Sequence, residues 1–292
     1  MLNEAIIAVS ILTGLGLSFA VILAVAYKRL KVEEDPCIDQ VEEMLPHANC
    51  GACGEPGCRA FAERVVGKEL NPAKCTVSSL ERINEIAAFL GVSLEAEEKR
   101  VARLLCAGGK REAHNLAGYK GGLSTCRGEA VVTGGVKACT WGCLGLGDCM
   151  SVCDFDAIYM NEDGLPVVIP DKCTACGDCV EICPKGLFEL MPVSQKLIVQ
   201  CKSLLDGKKA GELCSVACTA CNRCVNDSEP GLIEIRDNLA VINYDLNDLA
   251  HPKATWGCPT DAIVWVEWQQ FEKKKTAWLP LGRVEKYNED IG

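Results

Sequence analysis

The stretch that decides the fold runs from Cys139 to Pro184. It reads Cys139-x3-Cys143-x5-Cys149-x3-Cys153, a linker, then Cys173-x2-Cys176-x2-Cys179-x3-Cys183-Pro184. The second run has the bacterial ferredoxin spacing, in which three cysteines hold one cubane cluster and the fourth reaches across to another. Closely spaced thiolates suit this chemistry because a short loop can wrap a compact cluster and aim several sulfurs inward. The first run departs from that template. Leu146 stands where a cysteine is expected before Cys149, and Cys139, a turn outside Cys143, is the expected substitute. The spacing therefore predicts one [4Fe–4S] cluster on Cys139, Cys143, Cys149 and Cys183, and a second on Cys153, Cys173, Cys176 and Cys179. Zinc is the competing ion. It wants two separated ligand pairs around one tetrahedral centre, and triplet-plus-one runs fit that poorly.

Upstream, Cys50-x2-Cys53-x4-Cys58-x16-Cys75 predicts a third cluster, with Gly51, Gly54 and Gly57 allowing a tight loop. Four cysteines close a structural zinc site equally well, and the cluster is favoured here because the rest of the chain carries clusters. Residues 59–66 read as a short helix. Ser78-x-x-Glu81 reads as a capping box opening a second helix, with Leu80, Ile83, Ala87 and Leu90 as its core stripe. Residues 92–138 form a glycine-rich connector of turns and short strands that contains Cys106 and Cys126. The run Gly142-x2-Gly145-x-Gly147 lacks the strand-to-helix setting of a nucleotide loop. Ala157 to Met160 and Pro166 to Ile169, around Glu162-Asp163-Gly164, read as a hairpin.

From Cys201 the chain repeats itself. Cys126 to Cys139 and Cys201 to Cys214 are spaced alike. The frame then pairs Cys139 with Cys214, Cys143 with Cys218, Leu146 with Cys221, Cys149 with Cys224 and Cys153 with Ser228. Fixed-offset similarity of this kind marks a duplicated unit. The second copy has its own hairpin, Leu232 to Ile235 turning at Asp237-Asn238 into Leu239 to Ile242, and its closing Cys258-Pro259. Ser228 replaces the cysteine that would serve a neighbouring cluster, and no cysteine triplet lies between Asn247 and Gly257. One cubane has been lost whole, and one is predicted to remain, on Cys218, Cys221, Cys224 and Cys258. The expectation is about four [4Fe–4S] clusters. Cys37, Cys106, Cys126, Cys201 and Cys214 are left over, with a buried thiol, an extra cluster and a local disulfide all open.

Composition agrees. A chain of 292 residues with 49% hydrophobic and 24% charged residues is an ordinary folded protein of two to four small units, but its 21 cysteines are far out of line. Their tight clustering argues for metal in a reducing compartment rather than disulfides. A net charge of −10 argues against nucleic acid as a partner. Ala5 to Tyr27 is uncharged and apolar, long enough to span a bilayer. Glu4 precedes it while Lys28, Arg29 and Lys31 follow, which places the remainder in the cytoplasm by the positive-inside rule. A signal peptide would carry its charges on the other side. Gly14 and Gly16, with Ser10, Thr13 and Ser18, offer small surfaces to other membrane helices. Beyond Phe271, Lys273-Lys274-Lys275 and Trp278 form a solvated extension or a docking strap.

The chain resembles the B subunit of the Rnf (Rsx) complex over nearly its whole length. The likeness rests on the apolar N-terminal helix, on Asn49-Cys50-Gly51-Ala52-Cys53-Gly54-x2-Gly57-Cys58, and on Cys139-x2-Gly142-Cys143-Leu144-Gly145-Leu146-Gly147-x-Cys149. It implies a membrane-bound, ion-translocating ferredoxin:NAD+ oxidoreductase in which this subunit receives electrons from soluble ferredoxin, while other subunits carry flavins and the NAD site. The C-terminal unit departs from similar proteins, which often keep the cysteine at position 228 and a further triplet. The expected fold is α+β: an anchor (1–30), a small helical iron–sulfur domain (31–95), the connector (96–138), a two-cluster ferredoxin-like domain (139–192), a degenerate second unit (193–270) and a tail (271–292). The other functions to separate are a relay keeping a redox-sensing regulator reduced, and a structural zinc protein.

Overall fold

The computed structural model describes residues 2–30, 35–94, 98–118 and 124–271. Lys31, the pair Gly121-Gly122 and the tail with Lys273–Lys275 lie outside them. Helix α1 (Leu2–Leu30) is continuous. Its large apolar side chains lie open on every side, from Leu15 at 54% to Tyr27 at 71% exposure. The segment Ser10–Arg29, with mean hydropathy 2.0, is long and apolar enough to cross a membrane.

Three helices follow: α2 (Pro36–Met44), α3 (Cys58–Val66) and α4 (Leu80–Leu90). Asp35 opens α2 by accepting from the Cys37 amide, with Pro36 at the first helical position where no donor is needed. The helices meet on Val41, Leu45, Phe61, Ala62, Val65 and Ile86. The α4 cap differs from expectation by one residue. Ser79, not Ser78, accepts from the Arg82 amide at 3.4 Å. This shift rotates the buried stripe to Ile83, Ile86 and Ala87 and leaves Leu80 78% exposed.

The rest of the chain runs twice through the same order: strand, helix, helix, hairpin, helix, strand. The first pass has β1 (Arg100–Leu104), α5 (Cys126–Val131), α6 (Asp148–Ser151), β2 (Ile158–Met160), β3 (Pro166–Val168), α7 (Asp178–Ile182) and β4 (Phe188–Pro192). The second has β5 (Leu197–Val199), α8 (Gly207–Leu213), α9 (Arg223–Asn226), β6 (Ile233–Arg236), β7 (Leu239–Ile242), α10 (Lys253–Trp256) and β8 (Ile263–Trp265). In both, the outer strands pair antiparallel, β1 with β4 and β5 with β8, and the inner pair forms the hairpin. Asp237 and Asn238 both have positive φ, as a tight two-residue hairpin turn requires. The stretch read as a connector thus supplies a strand. β1 pairs Leu104 with Phe188 far along the chain, a match no local pattern reveals.

The cysteines are part of the cores. Cys143, Cys149 and Cys179 pack with Leu104, Leu165, Leu187 and Phe188 in the first unit. Cys218, Cys224 and Cys258 pack with Leu197, Leu232 and Ile263 in the second. Between Tyr244 and Trp256 the second unit has a 3-10 turn and α10, and Leu246, Ala250 and Ala254 pack on its core. Carbon thus fills the place where the sequence shows a deleted cysteine triplet.

Candidate iron–sulfur sites

Four cavities are ringed by cysteines. Among the described residues no three Cys, His, Asp or Glu side chains converge on a point that would hold a single metal ion. Thiols spread around a void suit a cubane, whose sulfur ligands stand off from a four-iron core. A lone zinc ion would draw all four sulfurs to about 2.3 Å.

The N-terminal cavity is lined by Cys50, Cys53, Cys58 and Cys75. The loop before α3 is tied by the Gly54 amide donating to the Gly51 carbonyl at 2.8 Å, and by the Cys58 amide donating to Asn49 Oδ1 at 2.8 Å. A Cβ at Gly57 would stand 2.9 Å from that oxygen, so this glycine is needed for the turn to close. Cys75 arrives on the 3-10 turn Pro72–Lys74, and its Sγ lies 3.3 Å from Ser78 Oγ. Burial raises the Cys53 thiol above its ordinary range, against the Glu55 amide that stabilises the anion.

The second cavity is lined by Cys153, Cys173, Cys176 and Cys179, with Ala102, Ala157, Ile158 and Leu190. Burial, then the neighbouring thiols Cys173, Cys176 and Cys153, push Cys179 up to about 12. The Ala157 amide points at Cys153 Sγ from 3.4 Å. Arg103 is 1% exposed; its Nη1 donates to the Trp268 carbonyl at 2.7 Å, while Nε and Nη2 have no partner. Burial lowers its pKa, and the charge of Cys173 opposes that loss. The loop of this site also meets the N-terminal one: Thr76, next to Cys75, donates its hydroxyl to the carbonyl of Thr174, next to Cys173, at 2.5 Å.

The third cavity has a lining that differs from the expected set at one position. Its cysteines are Cys126, Cys143, Cys149 and Cys183; Cys139 is not among its lining residues. Cys126 begins α5, and both oxygens of Asp148, at the start of α6, accept from the Cys126 and Arg127 amides at 2.9 and 3.1 Å. That bridge holds a cysteine from the glycine-rich stretch against the motif, where Leu146 leaves the gap. Burial, then Cys106, pushes Cys143 up to about 12. The Leu187 amide points at Cys183 Sγ from 3.4 Å. Cys179 and Cys183 are both close enough to act on Cys149, so the second and third sites are neighbours.

Cys218, Cys221, Cys224 and Cys258 line the fourth cavity. Burial, then Cys218, Cys258 and Cys221, raises Cys224 to about 11. Cys221 is the one cysteine that stands open to solvent. α8 lies against this loop so closely that a Cβ on Gly207 would collide with the Thr219 carbonyl, which puts the exposed Lys208 and Lys209 beside it. In every site the thiols stand near one another and repel when charged. An iron core relieves that repulsion, so metal binding and folding are coupled here.

Comparison with known proteins agrees with this chemistry. Residues 45–77 match the family profile "Putative Fe-S cluster", and residues 138–187 match "4Fe-4S dicluster domain". The B subunit of the Na(+)-translocating ferredoxin:NAD(+) oxidoreductase complex of Acetobacterium woodii is 43% identical over 84% of this chain and 73% of its own length. The B subunit of the ion-translocating oxidoreductase complex of Methanosarcina acetivorans is 37% identical over 84% and 92%. The proton-translocating counterpart of Clostridium ljungdahlii is 36% identical over 90% and 93%. Cysteine frame, element order and relatives together make this chain a member of the B-subunit family of ion-translocating ferredoxin:NAD(+) oxidoreductase complexes.

Proposed function

We propose that the chain is a membrane-anchored relay that accepts electrons from reduced ferredoxin and hands them to other subunits of its complex, without a flavin or NAD site of its own. The carrying observation is the contiguity of the cysteine-ringed cavities, joined by Thr76–Thr174 and by Cys149–Cys179. Each unit is ferredoxin-like, and the fourth ligand beside Cys143, Cys149 and Cys183 is Cys126 rather than Cys139. The other ligand sets are those lining the remaining cavities. [4Fe–4S] clusters supply reversible one-electron transfer when bound. The protein contributes spacing, burial and amide bonds to sulfur. α1 anchors the chain in the cytoplasmic membrane, with the positive flank at Lys28 and Arg29 keeping the remainder on the cytoplasmic side.

Electrons enter at the Cys218–Cys258 site, because Cys221 is exposed and Lys208, Lys209 and Arg223 stand exposed on α8 and α9, the helices beside its loop. Such a basic rim speeds encounter with an acidic ferredoxin despite the chain's net charge. They leave from the Cys50–Cys75 site, which follows the anchor. The test is anaerobic stopped-flow reduction by ferredoxin. Lys208→Glu with Lys209→Glu should slow reduction about tenfold at low salt and less at high salt; an unchanged rate removes this docking face. For the ligand set, Cys126→Ala should cost the protein one cluster by iron and sulfide content. Full retention would return Cys139 to that role.

A further inference from the structure

Four of the cysteines outside these cavities, one of them displaced from its expected site, come together at the seam between the two repeated units. Cys106 follows β1 and Cys201 follows β5, so the strands match Cys201 with Cys106 and not with Cys126, as its equal spacing to the next cysteine of the frame suggested. The Leu105 amide donates to the Leu187 carbonyl at 2.7 Å, and the Gln200 amide donates to the Ala262 carbonyl at 2.7 Å. Leu187 and Ala262 stand at the same distance along the chain from Cys183-Pro184 and Cys258-Pro259. Cys139 and Cys214 are likewise equivalent, each preceding its unit's core cysteine, Cys143 or Cys218, by the same step. The set is therefore two pairs related by the repeat.

Backbone amides point at these sulfurs. The Cys143 amide donates to Cys106 Sγ and the Ser203 amide to Cys201 Sγ, each at 3.4 Å. Amides directed at sulfur are the feature that Cys153 and Cys183 show in the other sites. The seam itself is closed by backbone bonds, Ala107 N to Gln200 O at 3.0 Å and Ser215 N to Glu112 O at 2.9 Å, and by the bridge between Ala113 and Cys214. A Cβ on Gly108 would stand 3.1 Å from Cys214 Sγ and 3.7 Å from Cys106 Sγ, so both sulfurs lie around one glycine. Cys106, Cys139 and Cys201 are all near enough to Cys214 to affect its ionisation, which burial in the first place pushes up to about 11.

A buried cation completes the setting. Lys137 is 9% exposed and donates to the carbonyls of Gly108 and, at 3.3 Å, Gly109. Among the described residues no carboxylate pairs with it. Its charge acts on Cys139 and Cys143. An ammonium held out of water with only carbonyls for company needs an anion nearby, and a thiolate-ligated cluster provides one.

We propose that Cys106, Cys139, Cys201 and Cys214 form a fifth [4Fe–4S] site, bridging the two units with two ligands from each. It rests on the reading of the chain as a cluster carrier; Cys106 accepts from the amide of Cys143 in the Cys126–Cys183 site, and Cys201 packs on the core that holds Cys218 and Cys258. With it every cysteine but Cys37 has a cluster to serve. A mononuclear zinc site is disfavoured because the four thiols do not converge on an ion-sized point, and no disulfide joins any of them.

The test is anaerobic purification of the full-length chain with iron, zinc and acid-labile sulfide quantitation, backed by Mössbauer and spin-resonance counting. Five clusters require roughly twenty iron and twenty sulfide per chain, four clusters roughly sixteen. Cys106→Ala with Cys214→Ala should lose about four of each while the resonances of the other clusters persist, which also reports that the variant folds. Wild-type protein holding roughly sixteen iron, a variant that keeps the full wild-type iron, or one zinc per chain lost in the variant would each overturn the site. If the double variant loses every cluster, the wild-type count alone decides. Protein without any iron would instead sink the relay reading itself, so the two failures are distinguishable.

Discussion

Arg103 shows how much one side chain can carry in this protein. It sits in the middle of β1 with two nitrogens unpartnered and almost no access to water. An unpaired buried guanidinium is costly unless a negative group stands near it, and Cys173 of the second site is that group. A cation beside a cluster favours its reduced, more negative state. Arg103→Met keeps the bulk and removes the charge, so the midpoint potential of that cluster should fall by on the order of 60 mV, equivalent to about 1.4 kcal/mol for one electron. Redox titration followed by spin resonance checks this; an unmoved midpoint would make Arg103 purely structural. Cys126 carries a different lesson. Nothing in its own neighbourhood places it in the wall of the third cavity, because its partner in the fold is Asp148, which accepts from both amides at the start of α5.

At the scale of elements, glycines set how closely loops and hairpins approach. Gly145 has φ of +74°, and a Cβ there would come 2.7 Å from the carbonyl oxygen of Gly164, in the turn between β2 and β3. The glycine-rich run within the cysteine motif is therefore a packing surface for the hairpin. Gly145→Ala pays twice, in left-handed backbone strain and in displacement of that turn. A loss of about 1–3 kcal/mol is expected. It should appear as a lower anaerobic melting temperature with iron lost early from the Cys126–Cys183 site, and an unchanged melting temperature would contradict the contact. Helices α6, α7, α9 and α10 are only four or five residues long. Helices so short do not form alone in water. α6, α7 and α9 exist because each presents a buried cysteine to a cavity, and α10 because it packs Ala254 on the second unit's core just before Cys258.

For the whole molecule, the Cys50–Cys75 cavity adjoins the Cys153–Cys179 cavity through Thr76 and Thr174, and that one adjoins the Cys126–Cys183 cavity at Cys149 and Cys179. The cysteines that ring the cavities are also core residues of both units. Stripping iron with a strong chelator under reducing, anaerobic conditions should therefore collapse tertiary structure cooperatively, with near-ultraviolet dichroism lost as iron leaves. Helix α1 makes no use of those cores and should persist in detergent. Retention of native near-ultraviolet dichroism in iron-free protein would show that the cores stand without metal.

Local features were legible from the residues alone because each depends on neighbours in the chain. The apolar length of α1, the cysteine runs, both hairpins with their turn residues, and the duplication all follow from spacing, backbone preference and periodicity. Tertiary structure alone decided the rest. The pairing of β1 with β4, the place of Cys126 in the wall of the third cavity, and the closeness of Cys106 to Cys214 all join residues far apart in sequence. The physical reason is that a cavity is a volume enclosed by chain segments. Spacing reports that volume only when one short loop supplies most of its wall.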